Sequence, residues 1–122
     1  MRSICVMRDI YKAISVFEAE FEKVYGLSLN EAMVLCSLEE VTGEGLTSTT
    51  IAERTEMTPS HTSKVIRSVE EKKLIKRAIG EVDKRQMYFC LTDSGRERLQ
   101  MVDRGNIQIP ELLKPIFMQD KP

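Results

Sequence analysis

The chain has 122 residues, 42% of them hydrophobic and 30% charged, which suits one globular domain with its own core and excludes general disorder. A formal net charge of −1 excludes a uniformly basic nucleic-acid binder. The longest apolar runs, such as Ala32 to Cys36, are far short of the ~20 residues of a membrane span.

Residues 4–25 read as an amphipathic helix. Met7, Ile10, Ile14, Phe17, Phe21 and Val24 alternate at spacings of three and four, which lays them on one stripe. Such a stripe can pack on the domain's own core or on a partner helix. Arg8 and Asp9 interrupt the apolar N-terminus too early for a signal peptide. Gly26 ends this helix. A second helix starts at Ser28, with Glu31 completing a capping box, Leu35 and Leu38 facing inward and Cys36 joining the core. Gly43, Glu44 and Gly45 form a turn.

Thr47 then caps a short helix over 48–55, with Ile51 and Ala52 on its buried side. The turn Glu56 to Pro59 leads into another helix, capped by Thr58, with Pro59 at the first helical position, running to about Lys73. After Leu74 the period changes from helical to alternating. Residues 75–79 and 86–91 read as two strands around a polar tip, and Met87, Phe89 and Leu91 share one face. Thr92 caps a helix through about Arg104. Gly105 and Asn106 break it, and Pro110 opens a short last helix carrying Leu112, Leu113, Ile116 and Phe117. The fold class is therefore mainly α with a small β-hairpin, a winged helix-turn-helix in a single domain over 1–122. No repeat or linker divides it.

The net charge hides an asymmetry. Residues 1–46 carry four Lys/Arg against eight Asp/Glu, residues 47–91 carry nine against six, and residues 92–122 carry five of each. Local basic surface governs phosphate attraction, because screening ends the field within ~10 Å at 0.1 M salt. Wound at about 100° per residue, the helix at 59–73 places Ser60, Ser63, Lys64 and Arg67 on one side and His61 at their edge. Thr62, Val65, Ile66 and Val69 fall on the opposite side. Hydroxyls, an amine and a guanidinium are the groups that reach phosphates and base edges in a major groove. Asp83, Lys84 and Arg85 at the hairpin tip supply a second contact, with Lys84 and Arg85 on phosphates or in a narrow minor groove and Asp83 orienting Arg85.

Five motifs in order carry a resemblance: Leu46-Thr47, Ile51-Ala52, Thr58-Pro59 at the start of the recognition helix, Asp83-Lys84-Arg85, and Leu91-Thr92 with Gly95 three residues on. Together, over about residues 46–96, they resemble the MarR family of bacterial winged-helix transcriptional regulators. The resemblance implies a homodimer that places two recognition helices on an inverted-repeat operator in double-stranded DNA and represses transcription. It implies dimerisation helices at 1–26 and 92–122, flanking a DNA-binding part at 27–91. It also implies an effector, a small molecule or an oxidant. Phe17, Phe21 and Tyr25 are candidates to line a pocket, and Cys5 on the first helix is a candidate redox switch beside its reading as a packed thiol. Lys73 and Glu56 stand where the family often has glycine, so the backbone there is expected to be strained or differently capped. Arg67 stands where the family is often acidic, and the part beyond Gly105 is shorter than in relatives.

Three widely spaced cysteines (5, 36 and 90) suit a reducing cytoplasm. No CxxC and a single histidine leave no metal site. With no nucleophile–base pair and no phosphate loop, no catalytic residue or cofactor is expected, and the chain is not an enzyme. The alternative to DNA binding is a winged helix used for protein–protein interaction, docking through the stripe of 7–24.

Overall fold

A computed structural model describes residues 2–41, 45–80, 84–103 and 109–115. The chain divides into two compact units. Among the described residues, one contains α1 (Arg2–Tyr25) and a 3-10 turn, Glu111–Leu113. The other spans residues 29–104 and contains α2 (Leu29–Glu39), α3 (Ser48–Thr55), α4 (Pro59–Glu71), β1 (Ile75–Ile79), β2 (Met87–Leu91) and α5 (Asp93–Asp103).

The unit of 29–104 is a winged helix. Val34, Leu35 and Leu38 of α2 meet Ile51 and Ala52 of α3, Val65, Ile66 and Val69 of α4, and Leu99 of α5 in its buried core. Each large side chain removed from water there contributes about 1.5–3 kcal/mol. The antiparallel hairpin pairs Ile75 with Leu91, Arg77 with Phe89 and Ile79 with Met87. These pairs lie on one face, since side chains alternate along a strand. Its root is buried at Ile75, Phe89 and Leu91, while Ile79 and Met87 emerge as the wing leaves the core.

Leu46 adds a one-residue third strand, exchanging both backbone bonds with Phe89 at 3.1 and 2.8 Å. The approach demands glycine next door: Gly45 has φ +99°, and a Cβ there would lie 2.1 Å from the Phe89 carbonyl oxygen. Gly95 is required for a similar reason, because a Cβ would lie 2.2 Å from the Leu74 carbonyl oxygen. The first turn of α5 thus rests on the turn between α4 and β1, with Thr92 accepting from the Gly95 N–H and donating to the Lys73 carbonyl.

Glu56 and Lys73 adopt left-handed backbone, with φ of 58° and 62°. Both sit at the turns where glycine was the expected residue, and both bear the strain of a Cβ in that region. Cys36 is exposed, not core. The buried side of α2 carries Glu31, Val34, Leu35 and Leu38, and Cys36 points away from it. After Pro110 the described residues of the last helix are a 3-10 turn that continues into helical Lys114 and Pro115. Ile116, Phe117, Gly105, Asn106, Gly43 and Glu44 lie outside the described residues.

In the other unit, Phe17, Phe21 and Tyr25 stack along α1 with ring centroids 6.0 and 5.0 Å apart. Phe21 and Tyr25 are buried, as is Leu27 just after the helix. Met7, Ile10, Ile14 and Val24, the rest of the stripe, are all exposed, Met7 by 65%.

Candidate nucleic-acid interface

The helix-turn-helix is built by its caps. Thr47 accepts from the Thr50 N–H at 3.3 Å and Thr58 accepts from the His61 N–H at 3.2 Å, each satisfying an otherwise orphaned donor. Thr62, fully buried, returns its hydroxyl to the Thr58 carbonyl at 2.8 Å. With Val65, Ile66 and Val69 inward, α4 turns Ser60, His61, Ser63, Lys64 and Arg67 to solvent.

Two neighbouring residues of α2 fix where α4 lies. The Asn30 side-chain amide sits 3.0 Å from Nε2 of His61. His61 is thus engaged with α2 while the other four face outward. Glu31, only 5% exposed, accepts from Ser68 Oγ and from Lys72 Nζ, the latter at 2.7 Å. A buried carboxylate so placed ties the last turn of α4 to the first turn of α2.

Lys84 and Arg85 are exposed beyond the hairpin. Asp83 lies outside the described residues. Between wing and recognition helix, Arg77 donates from Nε and Nη2 to the two carboxylate oxygens of Glu70 at 2.7 and 2.6 Å. Its guanidinium carbon lies 5.4 Å from the centroid of the Phe89 ring. The hydrogen bond from Arg77, then the charges of Arg77 and Arg67, hold the Glu70 carboxyl below the usual glutamate range against the opposing effect of burial. Ser63, Arg67 and Glu70 of α4, Ser48 of α3, and Arg77 and Phe89 of the hairpin line a notch of about 180 Å³.

The sequence reading missed Asn30, Glu70 and Arg77, and it gave Glu31 only a capping role. None stands in a local pattern with its partner: Asn30 and His61 are 31 positions apart, Glu31 and Lys72 are 41. Elsewhere, Phe17 joins Val16, Glu20 and Pro110 around a groove of about 400 Å³. An open cleft of about 610 Å³ runs past Met33, Cys36, Glu40 and Arg54. Burial, then the charges of Glu39, Asp103 and Glu40, push the Cys36 thiol above its ordinary value. Cys5 is exposed and Cys90 half-buried. Among the described residues no His, Cys, Asp and Glu converge as a metal site requires, and no helix is long and apolar enough to cross a membrane.

Solved structures share this fold. The MepR–DNA complex of S. aureus is 24% identical, covering 80% of this chain and 79% of that one, with a TM-score of 0.65. The transcriptional regulator BldR of Sulfolobus solfataricus is 21% identical over 98% and 82%, with a TM-score of 0.71. CouR of Rhodococcus jostii RHA1, bound to p-coumaroyl-CoA, is 18% identical over 96% and 86%, with a TM-score of 0.67. Among curated proteins no sequence relative matches. The MarR-type winged helix is thus the fold of this chain. The family model of the transcriptional regulator SarA/Rot matches residues 17–102, which include the entire helix-turn-helix and wing. The chain belongs to the SarA/Rot family of transcriptional regulators.

Proposed function

We propose that this regulator acts by binding an inverted-repeat operator in double-stranded DNA as a homodimer, and that it represses transcription. The observation that carries the reading is the exposed face of α4. Ser60, Ser63, Lys64 and Arg67 point outward from a helix locked onto the core, beside a wing that bears Lys84 and Arg85. MepR, which shares the fold, has been solved on DNA. In this reading His61 stands at the rim of the contact, with Nε2 beside Asn30. Asp83 orients Arg85. The exposed stripe of α1 supports the homodimer, since Met7, Ile10 and Ile14 need a partner surface to leave water. The reading includes an effector: a small molecule, as CouR holds p-coumaroyl-CoA, or an oxidant meeting the exposed Cys5. The chain works in the cytoplasm and catalyses no reaction.

Light scattering, combined with selection from a pool of random duplexes, tests the reading. A dimer that enriches an inverted repeat supports it. A monomer that enriches nothing refutes it and favours a winged helix that docks another protein through α1. Lys64→Ala with Arg67→Ala is expected to weaken duplex binding at least tenfold, at two charge-assisted contacts each worth about 1 kcal/mol, with an unchanged melting temperature. Unchanged affinity removes α4 from the interface.

A further inference from the structure

The notch between α4 and the hairpin contains more than a salt bridge. A guanidinium has five N–H donors in a flat fork. Glu70 takes one edge of that fork, through Nε and Nη2 of Arg77. The other edge, Nη1 with the second Nη2 hydrogen, takes no partner among the described residues, and the side chain is 54% exposed. Glu70 and the Phe89 ring hold the plane, so the open edge has a fixed direction. Arg67 flanks it one helical turn before Glu70, and the hydroxyl-bearing Ser48 and Ser63 complete the lining. The three charged groups, Arg67, Arg77 and Glu70, sum to one positive charge. That matches a phosphodiester, which carries one negative charge, better than a free phosphate dianion.

We propose that this notch seats one backbone phosphate of bound duplex DNA, gripped by the open edge of Arg77, with Glu70 and Phe89 as positioning residues. The proposal rests on the DNA-binding reading and deepens it. It joins the α4 face to the wing as one continuous track of phosphate contacts, in which Arg77 is a contact that carries no base information.

The test is the salt dependence of binding by the full chain. Anisotropy of a mixed-sequence duplex of about three helical turns is measured across a fourfold range of NaCl. Each phosphate contact contributes about 0.9 to the slope of log affinity against log salt. Arg77→Gln is therefore expected to lower the slope by about 0.9 per chain, about 1.8 for the dimer, so that affinity falls about 12-fold less across the range. Arg77→Lys, which loses the bidentate hold on Glu70 but keeps the charge, is expected to retain the wild-type slope. A wild-type slope in Arg77→Gln overturns the proposal and leaves Arg77 a structural partner of Glu70. Equal slopes and equal melting losses in both variants overturn it too, because the effect then follows the fold. Ser48→Asp covers the case in which Arg77→Gln does not fold. A carboxylate in the first turn of α3 favours the helix, yet it is expected to weaken duplex binding severalfold by repelling the phosphate. Unchanged binding overturns the proposal. Competition by inorganic phosphate at constant ionic strength, present in the wild type and lost in Arg77→Gln, would reassign the notch to a free anion. Absence of any salt-dependent duplex binding by the wild type fails the DNA reading itself, and this proposal with it.

Discussion

Replacing Glu31 by glutamine probes how the recognition helix is held. The carboxylate is 5% exposed and accepts from Ser68 and from Lys72. Glutamine is isosteric and keeps one acceptor oxygen, so one of these two bonds is lost. A hydrogen bond to a charged group is worth about 1.5–3 kcal/mol. The Lys72 head is 36% exposed and regains water, which puts the cost near the low end, about 2 kcal/mol. For a unit spanning residues 29–104 that lowers the melting temperature by about 10 °C. Lys72→Met is the informative counterpart. It removes the cation bonded to a buried carboxylate, and it is expected to cost about 3 kcal/mol. Because the two changes break the same contact, the double variant is expected to melt at least about 1 kcal/mol more stable than additivity predicts. Differential scanning calorimetry of the four proteins reads all of this. A Glu31→Gln melt within about 2 °C of wild type, or a Lys72→Met cost below that of Glu31→Gln, refutes the claim that a buried carboxylate anchors α4.

Other outcomes follow from separate features. Glu70 titrates below its ordinary value because Arg77 bonds to it. Its contribution is therefore fully present above the unfolded value of about 4.3 and is lost as pH falls through the lower folded value. The melting difference between wild type and Glu70→Gln should be at most about 1 kcal/mol at neutral pH and should shrink to nothing in acid. A difference that stays constant to pH 3 contradicts the pairing. Cys36 is exposed, yet burial and then Glu39, Asp103 and Glu40 raise its thiol. Its alkylation by iodoacetamide should accelerate only above the ordinary thiol range, and a rate already at plateau at neutral pH disproves this. Gly95→Ala drives a Cβ into the Leu74 carbonyl at 2.2 Å. It should cost about 1–3 kcal/mol, as overpacking does, and a melt equal to wild type refutes the close approach.

Local signals made much of the winged helix legible. Thr47, Thr58 and Pro59 announce their helices by chemistry that needs no tertiary partner, and each helix begins where its cap is. Alternation placed Phe89 and Leu91 inward correctly, but Met87, on the same face, is exposed because the hairpin outruns the core. The stripe of α1 was legible as a stripe and not as an exposed one, since periodicity says which residues share a face and nothing about what covers it. Cys36 was misassigned because a small thiol beside Leu35 reads as core in either orientation. The contacts that aim α4 were beyond reach for a different reason. Glu31 satisfies a local capping pattern, which masks its role, and Asn30, His61, Glu70 and Arg77 meet only once the chain has folded. Lys73 and Glu56 were flagged through the family's glycines, and the left-handed backbone there explains the preference.

The pair of backbone hydrogen bonds between Leu46 and Phe89 has a mechanical consequence. Phe89 belongs to the wing and Leu46 directly precedes the capping residue of α3, so the two arms that would straddle a duplex grow from one shared root. The same ring supports Arg77, which Glu70 ties to α4. Two reading points joined this stiffly behave like the jaws of a fixed gauge. The gap between them is set by the protein, and a duplex whose grooves are spaced otherwise must itself bend or twist to be measured. Discrimination then extends to base pairs that no side chain touches, through the energy needed to deform them.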